Sequence, residues 1–171
     1  MVSLTALEVA ARAPQRVTHL ALVATAFPMK VTPALLQSSL ETPKQAIALV
    51  NVYSHSKLAP PPSALGPGTW LYGGLRALMR RVLASNPRVN LFHRGFQACD
   101  SYTGGEEAMK QVTCPVLFVL GKQDAMTPPK AAQALRARSP HAKAVLLDAG
   151  HSLMTEAPEG VLAALRGLLG A

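Results

Sequence analysis

Pro115-Val116-Leu117-Phe118-Val119-Leu120-Gly121 is an unbroken apolar run, closed by proline at one end and glycine at the other. A short run with no polar alternation predicts a strand buried on both faces, as strands of a parallel sheet are. Lys122-Gln123-Asp124-Ala125-Met126-Thr127 follows as a loop, and Pro128-Pro129 suits the first turn of a helix, where a missing N–H is tolerated. That helix is predicted to run to about Arg138 and to stop at Ser139-Pro140. Residues 144–147 read as another short strand and residues 148–158 as a second strand-end loop. Val161, Leu162, Leu165, Leu168 and Leu169 then form the apolar stripe of a last helix.

Upstream, residues 2–13 read as a helix with Leu4, Leu7, Ala10 and Ala11 on one face and Pro14 at its exit. Residues 16–25, with Val17, Leu20, Leu22 and Val23, read as a strand. Residues 28–100 break this rhythm. Pro28, Pro33, Pro43, Pro60, Pro61, Pro62, Pro67 and Pro87 punctuate short helical patterns at 34–40, 43–53, 72–83 and 89–99. This stretch holds eight basic residues and, ahead of Asp100, the single acid Glu41, so nearly all of the chain's net charge of +8 sits there.

The predicted order is helix, strand, helical insertion, strand, helix, strand, helix. Such alternation gives an α/β fold, a partial parallel sheet of about three strands flanked by helices. The expected divisions are 1–27 and 101–171 for the core and 28–100 for the insertion. Three strands are few for a parallel sheet, which wants cover on both faces and neighbours on its edges. The expectation is therefore that core strands precede Met1.

At 171 residues, 49% hydrophobic and 15% charged, the chain is a globular domain and not a disordered one. Cys99 and Cys114 follow no disulfide or metal pattern. His19, His55, His93 and His141 have no spacing that sets two on one face with a carboxylate, so no metal site is expected. No apolar stretch approaches the roughly 20 residues of a membrane span, and no basic segment precedes an apolar one at the N-terminus. A cytoplasmic protein that binds neither membrane nor nucleic acid is expected: the basic residues form no run, and aromatics are only 5%.

In open parallel sheets, sites form at the carboxyl ends of the strands. Two loops leave strands there, one carrying Asp124 and the other, Asp148-Ala149-Gly150-His151-Ser152-Leu153-Met154-Thr155-Glu156-Ala157-Pro158, carrying His151. An acid that orients an imidazole leaves its other ring nitrogen as a general base. Taken singly, an Asp after a strand is usually a turn residue, and a His after Gly a surface loop residue. Asp148 is the alternative acid. Met126, Leu153 and Met154 beside the pair, with Trp70 and Tyr72 from the insertion, are candidates for the wall of an apolar substrate pocket, although the two aromatics equally suit a packing role.

Together these loops resemble the α/β-hydrolase family. Gly121-x-x-Asp124-x-x-Thr127-Pro128-Pro129 is similar to its acid loop, and Gly150-His151 with Glu156 and Pro158 to its histidine loop. Residues 1–17 resemble the helix after the family's nucleophile elbow and the strand that follows. The resemblance covers residues 1–26 and about 112–169, while residues 28–100 match the family's helical cap by position only. The family's nucleophile lies in Gly-x-Ser-x-Gly. Met1 stands where the residue after that serine would be, and Val2 replaces the second glycine. Ser3 has no glycine beside it to permit the turn, and Ser152 adjoins His151 too closely in sequence for attack geometry.

The resemblance implies the C-terminal portion of a serine-type hydrolase acting on a small-molecule ester or related carbonyl substrate. Asp124 and His151 would be its acid–base pair, with no cofactor. The chain alone, lacking the serine, is expected to be inactive. The alternative is a non-catalytic binding or dimerisation module that associates through its open sheet edge.

Overall fold

The structure is a computed structural model and describes residues 1–56 and 70–170. Lys57, Pro60, Pro61, Pro62 and Pro67 of the expected insertion lie outside the described residues. Three parallel strands form one sheet in the order β1 (Leu20–Val23), β2 (Val116–Gly121), β3 (Lys143–Leu147). Leu20 pairs with Val116 and Val23 with Val119; Leu117 pairs with Lys143 and Gly121 with Leu147. The central strand is β2, buried along its whole length, as its unbroken apolar run requires.

Helices cover both faces. Side chains alternate along a strand, so Val116, Phe118 and Leu120 of β2 join one apolar cluster, and Leu117 and Val119 another. The first cluster lies under α1 (Val2–Arg12) and α6 (Gly105–Gln111), which insert Leu4, Leu7, Ala10 and Met109. The second lies under α8 (Leu153–Glu156) and α9 (Pro158–Leu169), which contribute Leu153 and Val161. On α1 the residues at i, i+3 and i+6 are buried while Val9 is half exposed, so a one-sided stripe and not propensity holds the helix.

Among the described residues, four α-helices lie between β1 and α6: α2 (Pro33–Glu41), α3 (Pro43–Tyr53), α4 (Leu71–Ala84) and α5 (Leu91–Ser101). Prolines open α2 and α3, and Thr32 and Asn90 cap α2 and α5 through their side chains. The two ends of this excursion are pinned together. The Asp100 carboxylate accepts from Val31 N–H at 3.0 Å, its carbonyl accepts from Lys30 Nζ at 3.0 Å, and Phe27 meets Tyr102 edge-on at 5.7 Å. Ser39 Oγ and His93 Nδ1, 2.7 Å apart, tie α2 to α5.

Several elements differ from the sequence expectation. The first strand is four residues, not ten. Pro14, with its fixed φ, seeds a 3₁₀ turn (Pro14–Arg16) ahead of it, and Ala24 beyond it turns to φ 47°, which no strand accommodates. The expected helix from 128 to 138 is a 3₁₀ turn (Pro129–Ala132) followed by α7 (Gln133–Ala137). Helices α6 and α8 were not expected, although Glu106 and Glu107 in the first turn of α6 and Lys110 in its last follow the usual charge order. Among the described residues no helix is long and apolar enough to cross a membrane.

Replacing Leu7, fully buried, by alanine should cost about 2–5 kcal/mol. Val9→Ala, on the open face of the same helix, should stay within about 0.5 kcal/mol. Urea unfolding midpoints check this; equal losses would mean that α1 does not pack its Leu7 face on the sheet.

Candidate active site

The loops after β2 and β3 approach until their backbones touch. A Cβ on Gly121 would fall 2.3 Å from the Gly150 carbonyl oxygen and 2.5 Å from that of Ala149. Glycine is needed at 121 because no side-chain atom fits there. Gln123 N–H donates to the Ala149 carbonyl at 3.1 Å, closing the contact.

Inside this junction the Asp124 side chain is fully buried. Its Oδ1 accepts the Met126 and Thr127 N–H groups at 2.8 and 2.7 Å, so the loop wraps around the carboxylate. Oδ2 faces His151 Nδ1 at 2.9 Å and Thr127 Oγ1 at 2.7 Å. Thr127 Oγ1 is also 3.0 Å from His151 Nδ1 and 3.1 Å from the Ala24 carbonyl, and its one proton serves a single acceptor at a time. The left-handed Ala24 turns that carbonyl toward Thr127, a strained conformation for a residue with a Cβ.

Burial would raise the Asp124 carboxyl pKa. The hydrogen bond and charge of His151, with the Thr127 donors, outweigh it and hold the carboxyl below the ordinary carboxylate range. A carboxylate at Nδ1 keeps the proton on that nitrogen, so in the neutral ring Nε2 carries the lone pair. The His151 side chain is about one-third exposed, at 31%, and faces a cavity of about 570 Å³. The arrangement can therefore accept a proton at Nε2 from a group in that cavity while a buried anion stabilises the imidazolium.

The cavity lies against α2, α3 and α5, and its wall is mainly apolar: Leu35, Val50, Phe92, Phe96, Cys99 and Met126 are examples. Of the residues expected in a pocket, Met126 lines it and the others do not. Leu153 is fully buried in the core with Val119 and Val161, while Met154 is 62% exposed. These two neighbours open α8, where successive side chains point about 100° apart, so one turns inward and the other outward. Trp70 is exposed with the Arg76 guanidinium 5.3 Å from its ring centre, and Tyr72 lies against His55 at 4.2 Å. Both aromatics serve the α3–α4 region. Asp148 pairs with Lys122 at the surface, at 2.9 Å, and Ser3 donates to Thr25 Oγ1 at 3.0 Å. Sequence reasoning missed Thr127 as the bridge between acid and imidazole, and it missed the α2 and α5 faces of the cavity. An apolar helix stripe looks the same whether it faces a core or a cavity. Among the described residues no group of three or more His, Cys, Asp or Glu is placed to hold a metal ion.

A model of the alpha/beta hydrolase family matches residues 2–164. The chain belongs to that family. A comparison with curated protein sequences gives no match. Among solved structures it is similar to a thermophilic esterase (23% identity, TM-score 0.76, covering 98% of this chain and 62% of that one). A hydrolase from Pseudomonas aeruginosa PA01 is similar as well (22%, 0.75, 99% and 62%). So is the enol-lactonase from Burkholderia xenovorans LB400 (18%, 0.75, 99% and 62%). The likeness is one of fold, and this chain spans about three-fifths of the length of those structures, as the 62% shares state.

Two outcomes follow. Gly121→Ala should destabilise the fold by about 1–3 kcal/mol through overpacking, read as a fall in the urea midpoint; an unchanged midpoint would mean the loops do not touch. A carboxyl with a depressed folded pKa stabilises the fold above its unfolded value of about 3.9. That contribution is lost as pH falls through the lower folded value. Asp124→Asn should therefore flatten the acid limb of stability against pH, measured by denaturation at stepped pH; parallel limbs for both proteins would contradict the depressed value.

Proposed function

We propose that this chain is the C-terminal portion of a serine-type hydrolase acting on an ester or related carbonyl compound. The reading rests chiefly on one observation: Met1 and His151 line the same cavity. A residue joined to Met1 on its N-terminal side would adjoin that cavity. With a serine there, Nε2 of His151 takes the hydroxyl proton as Oγ bonds to the substrate carbonyl carbon. The tetrahedral adduct collapses, and the departing alkoxide takes that proton from Nε2 and leaves as an alcohol. Water, deprotonated by the same nitrogen, then adds to the acyl–serine carbonyl; as this adduct collapses Oγ leaves, takes the proton back from Nε2, and the acid is released. Asp124 holds Nδ1–H and offsets the charge of the imidazolium. The helices α2–α5 act as a cap whose apolar wall receives the small-molecule substrate, and no cofactor enters the scheme. The names of the similar structures, an esterase and an enol-lactonase, support this class of substrate.

The 171-residue chain alone should hydrolyse p-nitrophenyl butyrate no faster than buffer. A chain extended at its N-terminus by a segment ending in Gly-x-Ser should turn it over. His151→Gln in that longer chain should lower kcat by roughly 10³- to 10⁶-fold. If the extended chain is inert, or is equally active with its serine changed to alanine, the protein is not such an enzyme and the non-catalytic module stands.

A further inference from the structure

Glu156 sits in α8, five residues beyond His151, and is only 2% exposed. Its Oε2 accepts two backbone N–H groups from separate parts of the fold. One is Gly150, directly before His151, at 3.1 Å; the other is Ser56, just past the end of α3, at 2.9 Å. Its Oε1 is buried and has no hydrogen-bond partner among the described residues. Burying a carboxyl group with one oxygen unused is expensive. An apolar side chain would avoid that cost, but it would leave two buried N–H donors orphaned.

The surrounding contacts make the same junction. The Ser54 carbonyl accepts from Ser152 N–H at 2.9 Å, on the other side of His151. Ser54 Oγ lies 3.2 Å from Met126 Sδ, and Ser56 Oγ donates to Gln123 Oε1 at 2.6 Å. Residues 54–56 are thus stitched to both the acid loop and the histidine loop. The fit leaves no slack: a Cβ on Gly150 would lie 2.4 Å from Ser56 N and 2.6 Å from His55 C. His151 hangs between two residues, Gly150 and Ser152, whose N–H groups are both bound to this junction.

We infer that Glu156 is a positioning residue for His151: by joining the end of α3 to Gly150, it holds the imidazole against Asp124. The inference deepens the proposed reaction by adding a link between the helical segment and the base. Glu156 itself lies in the core beneath the loop and acts through the backbone of Gly150.

The test uses the 171-residue chain with ¹⁵N-labelled histidine, reading the solvent exchange of the His151 Nδ1 proton by NMR. Glu156→Leu, which accepts nothing, should speed that exchange by about tenfold or more, the loss expected when buried donors go unpaired. Glu156→Gln, whose carbonyl oxygen can take both donors, should restore the wild-type rate. Leu165→Ala, a packing change on α9 at the second apolar cluster, should lower the unfolding midpoint and leave the proton where it was. If Glu156→Leu folds and the His151 proton is unchanged, or moves no more than in Leu165→Ala, the inference is overturned. If Glu156→Leu does not fold, the wild type decides. Its Ser56 and Gly150 amides should be protected and exchange at one common rate, and free exchange of either overturns the link. Because the readout is the imidazole, a failure of ester hydrolysis in the extended chain would remove the reaction and leave this result to be judged separately.

Discussion

The 2.9 Å hydrogen bond between Asp124 and His151 joins two loops whose backbones are themselves in contact. That contact governs the carboxyl end of this sheet. Gly121 ends β2 against the carbonyls of Ala149 and Gly150, with no space for a single added carbon. The parallel pairing of β2 with β3 sets the two loops side by side, and the glycine lets them close. Asp124 and His151 meet as a result, and Thr127 fills the angle between them. The buried Asp124 is tolerable because every approach to it is a donor: two backbone N–H groups, a hydroxyl and an imidazole.

The rest of the fold holds that junction still. Phe118 and Leu120 fix β2 from the α1–α6 side, and Leu117 and Val119 from the α8–α9 side. Leu153 pulls the chain after His151 back into the core, so the histidine loop is short and anchored at both ends. The helices α2–α5 supply most of the cavity wall. They meet the strand-end loops at residues 54–56, where polar groups of the segment, the acid loop and the histidine loop join.

Much of this was legible in the sequence where one physical signal acted alone. The unbroken apolar run of β2, the one-sided stripe of α1 and the bounds of α3, set by Pro43, are cases in which local chemistry decides. The two loop motifs carried Asp124 and His151, and the structure brings these side chains together. The hidden parts depend on partners distant in the chain. The expected strand at 16–25 is cut to four residues by the 3₁₀ turn at Pro14–Arg16 and the left-handed Ala24, whose carbonyl is turned to Thr127, 103 positions on. Leu153 and Met154 look alike in sequence, but both lie in α8, whose turn sends Leu153 into the core and Met154 to the surface. Trp70 is not part of the cavity that His151 faces; it lies at the surface beside Arg76. Glu156 stood in the sequence only as part of a loop pattern; one of its two donors, Ser56, lies 100 positions away.

The pinned ends of the α2–α5 segment set how the chain can change its length. Asp100 binds Lys30 and Val31, so the helical excursion leaves and rejoins the core at one point. Doubling an excursion of this kind adds only about 0.6 kcal/mol of closure entropy. The sheet, with its aspartate and histidine, is thus nearly indifferent to how much protein is threaded between those ends. Chain could be added there at little entropic penalty, provided that a stretch shaped like residues 54–56 still reaches the two loops. The architecture separates a part free to diverge from a part that is not, and the two are joined at the pinned ends and at residues 54–56.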